Sequence, residues 1–210
     1  MSRGMWMLFI LIGFAMGGIM YGRILPEKLA HTDICALSPD HNPGASNVFT
    51  YCGWKMGLLC LALDMGKGFL PVFTACQLSG GDLTDPMIAP LMLAPVLGHA
   101  LAPFSRKKGG KAIACAFGVL LGLLPGSAAV FVLAFLYILF STLVKINPHR
   151  RRSIVTFSLF GLITLVGGIF KSHFPVGLGC VLISAVVVIK HLPRFDQEPA
   201  GEQEKLHSTL

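Results

Sequence analysis

Apolar residues gather into seven stretches, roughly Met5 to Leu25, Trp54 to Leu78, Pro86 to Phe104, Ala112 to Leu124, Ser127 to Val144, Ile154 to Phe170 and Phe174 to Ile189. Short polar connections separate them. Runs of this length and apolarity predict membrane-crossing helices, although several fall short of the ~20 residues that a perpendicular crossing needs. The Ala112 and Phe174 segments are therefore expected to lie tilted, packed inside the bundle, or only partly across. The fold class expected is an all-α integral membrane protein, a seven-helix bundle in one domain over residues 1–192, followed by a polar cytoplasmic tail at 193–210. Neither the Pro26–Gly53 connection nor that tail is long enough for a soluble domain.

Composition supports the same class. Of 210 residues, 54% are hydrophobic and 13% charged, and the mean hydropathy is +0.71, outside the usual balance of a soluble domain. The formal charge of +7 sits in short clusters between apolar runs, which fits orientation or anionic lipid and no nucleic-acid partner. Lys and Arg concentrate in alternate connections: Arg23 and Lys28; Arg106, Lys107, Lys108 and Lys111; Lys145 and Arg150 to Arg152; Lys190, Arg194 and Lys205. The opposite set holds only Arg3 and Lys171, so seven crossings put the N-terminus outside and the C-terminus in the cytoplasm. A cleaved signal peptide is the alternative for the first run, with "AMG" as a small-x-small site, but the run continues apolar through "GIMYGRIL". The six cysteines form no C-x-x-C pair, and neither a zinc site nor a disulfide framework is indicated.

With that topology "SPDHNPGASN", "SRKKGGK" and "NPHRRRS" share the cytoplasmic face. Each carries groups that bind anions: amides, hydroxyls, basic side chains and glycine-freed N–H donors. The basic loop at 106–111 is either a topological marker or, ahead of a helix, a phosphate site. Asp64 and Lys67, at i and i+3 within an apolar run, share a helix face. They are either a structural ion pair or part of a functional site, as ionisable groups at membrane depth often are. His99 is likewise a packing residue or a site residue, and "HNPGASN" reads as a turn entering a helix, with Asn42, Ser46 and Asn47 able to bond or cap.

Together these stretches resemble the bacterial membrane glycerol-3-phosphate acyltransferases that use acyl phosphate, the PlsY type. "HNPGASNV" is similar to the family's G-S-G-N-P-G-A-T-N-V, and "LDMGKGFLPV" to its L-D-x-x-K-G-x-x-P-V. "GHALAPFSRKKGGKAIACAFGVLL" keeps the K-G-G-K core, with His99 nine residues before Lys108. "RRSIVTFSL" and "IKHLPR" are fainter matches. The resemblance implies a multi-pass protein of the bacterial plasma membrane with no cofactor and no metal. It implies transfer of a fatty acyl group from acyl phosphate to the 1-hydroxyl of glycerol 3-phosphate, giving lysophosphatidic acid and phosphate. It also implies a soluble partner enzyme that makes the acyl phosphate.

By position, Lys108, Gly109, Gly110 and Lys111 would hold phosphate and stabilise developing charge, and Asn42, Gly44, Ser46 and Asn47 would shape the other wall. His99 is a candidate base, Asp64 and Lys67 belong to the second motif, and Arg152, Ser158 and His191 come from the fainter matches. Several positions depart from the pattern, among them Val155 where the family has a Ser. The family's Ser corresponds to Ser38 with one inserted residue or is replaced by Asp40, an acid expected to repel phosphate. Thr50 stands at an Arg position, Ala112 at a Gly position and Arg194 at an Asn position. These differences leave open a second reading, a relative that binds or moves a phosphorylated lipid or small anion, and a third, a purely structural membrane subunit.

Overall fold

The computed structural model describes residues 1–105, 109–170 and 173–192. Lys108 and the tail 193–210, with Arg194, lie outside the described residues. Among the described residues every regular element is a helix: α1 (Arg3–Gly17), α2 (Tyr21–Ala30), α3 (Ile34–Leu37), α4 (Ala45–Leu78), α5 (Ile88–Leu101), α6 (Ile113–Leu121), α7 (Ala129–Ile138, extended by a π-helical turn at Leu139–Leu143), α8 (His149–Phe170) and α9 (Phe174–Lys190).

The apolar runs map onto these helices with three differences. The first run is broken: α1 and α2 bend by 41° just after Gly17 and Gly18, a glycine pair of the kind that kinks helices. α4 is 34 residues long and starts at Ala45, but Gly53, at φ 80, interrupts it immediately before the expected Trp54 start. α8 begins at His149, so the arginine run is helical, not a loop. Arginine is a good helix former, and an apolar run marks only the lipid-facing part of a helix.

By length and composition α4 and α8 can each cross a membrane, as can the bent α1–α2 pair taken as one span; α5, α7 with its π turn, and α9 are shorter apolar helices. α6 has nine residues, about 14 Å at ~1.5 Å per residue, and packs inside the bundle with Cys115, Ala116, Val119 and Leu120 fully buried.

Helix pairs α8–α9, α4–α6, α1–α5 and α5–α9 form the main interfaces. Where lipid surrounds a bundle, association depends on close packing, which favours small residues at helix contacts. A Cβ on Gly118 of α6 would collide with the Met65 carbonyl of α4, and one on Gly68 of α4 with the Cys115 carbonyl of α6. The outer surface is apolar, with Phe131, Phe135, Leu162 and Phe170 all exposed. A second small core of Ile34, Ala45, Val48 and Cys60 seats α3 and the start of α4, and so carries the segment from Ser38 to Asn47.

Gly118→Ala is expected to overpack the α4–α6 contact, at a cost of roughly 1–3 kcal/mol. Thermal unfolding of the detergent-solubilised chain should show a lowered midpoint; an unchanged midpoint would contradict the close approach.

Candidate active site

A cavity of about 580 Å³ brings together residues from widely separated parts of the chain. Asp40, Asn42, Gly44, Ser46 and Asn47 come from the turn into α4 and its first residues; Leu61, Asp64 and Met65 from the middle of α4; His99 from α5. Lys111, Ala112, Ile113 and Phe117 come from the entry to α6 and α6 itself, Tyr137 from α7, His149 and Arg150 from α8, and His191 from the end of α9. Polar and apolar walls therefore meet in one space, the usual make-up of a small-molecule site.

Asp40 is held by two other residues that line the cavity. Its Oδ2 is 2.9 Å from Lys111 Nζ, and its Oδ1 accepts from Asn47 Nδ2 at 2.8 Å. The second Asn47 amide hydrogen serves the Asn42 carbonyl, also at 2.8 Å. Burial works to raise the Asp40 pKa, but the hydrogen bonds from Lys111 and Asn47 and the Lys111 charge outweigh it, so the carboxyl is held below its ordinary 3.8. At neutral pH the acid expected to repel phosphate is thus already paired with a cation of the basic loop.

Beneath this pair lies a second charged group within the helices. Lys67 Nζ is 2.8 Å from Asp64 Oδ1 and donates to the Ile19 carbonyl at 2.6 Å, an acceptor released by the break between α1 and α2. His99 Nδ1 is 3.9 Å from Asp64 Oδ1. Asp64 and His99 face the cavity, whereas Lys67 is not among its lining residues.

The glycine loop packs against His99. Gly110 N–H donates to the His99 carbonyl at 3.1 Å, and a Cβ at Gly110 would strike the His99 ring, as one at Gly109 would strike the Ala100 carbonyl. Close packing on the end of α5 therefore requires both glycines, and the Gly110 amide is already used in holding the loop. Ala112 takes φ 62 as the residue capping α6, a left-handed conformation that costs a residue with a Cβ roughly 1–2 kcal/mol.

On α8 the inward face carries residues that the apolar pattern did not single out. Arg150 and His149 line the cavity, and Ser153 is buried, with its Oγ 2.9 Å from Tyr137 OH and 3.3 Å from His149 Nδ1. Ser158 is exposed, and neither it nor Arg152 lines the cavity. The i, i+3 step from Arg150 to Ser153 was the available signal; without the helix start, its phase could not be fixed. Ser38 is buried but is not among the cavity's lining residues, while His191 lines it and bonds the Val187 carbonyl through Nδ1 at 2.7 Å.

Fold and cavity together define an integral membrane protein with a polar internal site bordered by apolar helices. Residues 7–198 match the glycerol-3-phosphate acyltransferase family, and the chain belongs to it. A glycerol-3-phosphate acyltransferase of Geotalea daltonii is 33% identical over 92% of this chain and 94% of its own length. That of Thermotoga petrophila is 29% identical over 96% and 97%. The crystal structure of PlsY, an integral membrane glycerol 3-phosphate acyltransferase, in its glycerol 3-phosphate form is similar with a TM-score of 0.73 at 26% identity, covering 96% of this chain and 98% of that one. The lysophosphatidic acid form shares the fold, with a TM-score of 0.71 at 23% identity over 97% and 92%.

Two outcomes follow from this geometry. Because the folded-state pKa of Asp40 is depressed, the stabilisation it contributes is present above pH 3.8 and is lost as pH falls through the lower folded value. In Lys111→Met the strongest of the lowering partners is gone while burial remains, so a carboxyl NMR titration should find the Asp40 pKa raised above its wild-type value; no rise would contradict the pair. Ala112→Gly should relieve the left-handed strain and raise the unfolding midpoint by about 2–4 °C, whereas a lowered midpoint would count against it.

Proposed function

We propose that this chain transfers a fatty acyl group from acyl phosphate to the 1-hydroxyl of sn-glycerol 3-phosphate. The hydroxyl oxygen bonds to the acyl carbon, the bond from that carbon to the phosphate oxygen breaks, and lysophosphatidic acid and inorganic phosphate leave. The observation that carries this reading is the single cavity in which Lys111, Asn47, Ser46 and Arg150 share a space with Leu61, Met65, Ile113 and Phe117. Both substrates carry phosphate, which suits the cationic and amide groups; the acyl chain suits the apolar wall. An acyl phosphate is already activated, so holding the hydroxyl against the carbonyl supplies much of the rate without a protein nucleophile.

In this reading Lys111, with Lys108 of the same motif, neutralises charge that develops on the carbonyl oxygen and the departing phosphate. Asn42, Gly44, Ser46 and Asn47 form the facing wall, and Arg150 adds a planar group for phosphate. His99, which lines the cavity beside Asp64, would take the hydroxyl proton. The chain is a multi-pass protein of the bacterial plasma membrane, with seven apolar segments, its N-terminus outside and its C-terminus cytoplasmic. The meeting of the 38–47, 109–112 and 148–150 segments at one cavity supports this arrangement. So does the 3.5 Å contact of Arg3 Nη1 with Asp85, which joins the N-terminal end to the connection between α4 and α5, two segments that the alternation puts on the same side. A soluble enzyme would deliver the acyl phosphate to the cytoplasmic mouth.

Membranes carrying the chain, given acyl phosphate and radiolabelled glycerol 3-phosphate, should place label in lysophosphatidic acid. Lys111→Ala should lower kcat/KM by roughly 10²–10³, and Ser158→Ala, on the exposed face, should match the wild type. Folded protein that binds phosphate compounds but yields no product would favour the anion-binding reading instead.

A further inference from the structure

The cavity holds an acid where a phosphate-binding wall calls for donors. Asp40 engages two groups assigned to phosphate, each through its own carboxylate oxygen: Lys111 at 2.9 Å and Asn47 at 2.8 Å. A side-chain amide has two N–H donors, and in Asn47 both are committed, one to Asp40 and one to the Asn42 carbonyl. Asn47 can therefore donate to a ligand only if one of those bonds opens. The Asn42 carbonyl belongs to the backbone of the turn, which the buried Ala45 and Val48 fix in place. The Asp40 bond joins two side chains, one of them partly exposed: the Asp40 side chain is 36% accessible. Rotation of that carboxylate opens the bond, together with its weaker contact to the Asn42 backbone N–H, without moving the turn itself.

We propose that Asp40 is an affinity-setting residue: its carboxylate engages the donors that would hold the acceptor's phosphate, and a phosphorylated acceptor binds by displacing it. The inference rests on the proposed function only in taking the acceptor to be phosphorylated. A carboxylate and a phosphate dianion competing for the same ammonium also repel each other, so the acid lowers affinity both by occupying donors and by charge. Removing the charge while keeping the shape weakens the hold on Lys111 and Asn47 and removes the repulsion towards the ligand. Asp40 thereby acts on acceptor binding and differs from the groups assigned to the transfer itself.

The test uses the full chain in detergent micelles as wild type, Asp40→Asn and Asp40→Ser, each checked for a cooperative unfolding transition. Inorganic phosphate and glycerol 3-phosphate are titrated separately against the unfolding midpoint, and KM for glycerol 3-phosphate is measured with acyl phosphate as donor. For a partly exposed ion pair the half-saturating concentrations of both ligands should fall about fivefold in the variants, and KM should fall with them. Unchanged or raised half-saturating concentrations would overturn the inference, as would a lowered kcat/KM, which would mark Asp40 as a brace that positions Lys111. Failure of both variants to fold would overturn it too, since a displaceable group cannot be indispensable to the fold. The same outcome holds if phosphate stabilises no form of the chain. Tighter phosphate binding in variants of a chain that makes no lysophosphatidic acid would keep the Asp40 inference and reject acyl transfer. Turnover with binding unmoved by either substitution would do the reverse.

Discussion

A cation buried among apolar helices must be matched where it sits, and Lys67 is matched twice. Its side chain is nearly inaccessible, as is that of Asp64, and removing one partner of such a pair leaves an uncompensated charge that costs several kcal/mol, about 3–5. The ammonium lies against Asp64 one turn away on α4 and also takes the Ile19 carbonyl. That second bond satisfies a backbone acceptor exposed where the α1–α2 helix path breaks, a group that would be expensive to leave unpaired away from water. One side chain therefore ties the bent first span to α4. Through Asp64 it also faces His99 on α5, whose ring and carbonyl position the glycine loop.

The cavity depends on this chain of contacts. Gly109 and Gly110 lie close on the end of α5, which brings Lys111 to Asp40, 71 residues away in sequence. Polar groups are thus set by packing on the buried charged cluster, and the two small-residue contacts between α4 and α6 hold the apolar wall opposite. In the proposed reaction the same arrangement serves both ends of an amphipathic substrate: charge and amides for phosphate, Leu61, Met65 and Phe117 for the acyl chain.

Local chemistry was readable from the sequence wherever it depended on spacing. The pairing of Asp64 with Lys67 followed from i, i+3 on a helix, the K-G-G-K core identified the family, and most expected spans appear as helices. What stayed hidden depended on helix phase and on contacts across the chain. The break after Gly17 looks like continuous apolar sequence, because the group that satisfies it, Lys67, is far away. Arg152 and Ser158 rest on a faint family match, and the arginine run conceals the start of α8 and with it the inward phase of Arg150 and Ser153. Tyr137 was indistinguishable from its apolar neighbours until Ser153 gave its hydroxyl a partner. Asp40 reads only as repulsive from the sequence; its hold on Lys111 is hidden because that cation belongs to another loop.

The most direct test of the account is a structure of this chain with glycerol 3-phosphate bound. The phosphate should lie within hydrogen-bond reach of Lys111 Nζ and Asn47 Nδ2, with the 1-hydroxyl turned towards His99 and the apolar wall at Met65 and Phe117. A phosphate bound elsewhere, with Lys111 still closed on Asp40, would contradict it.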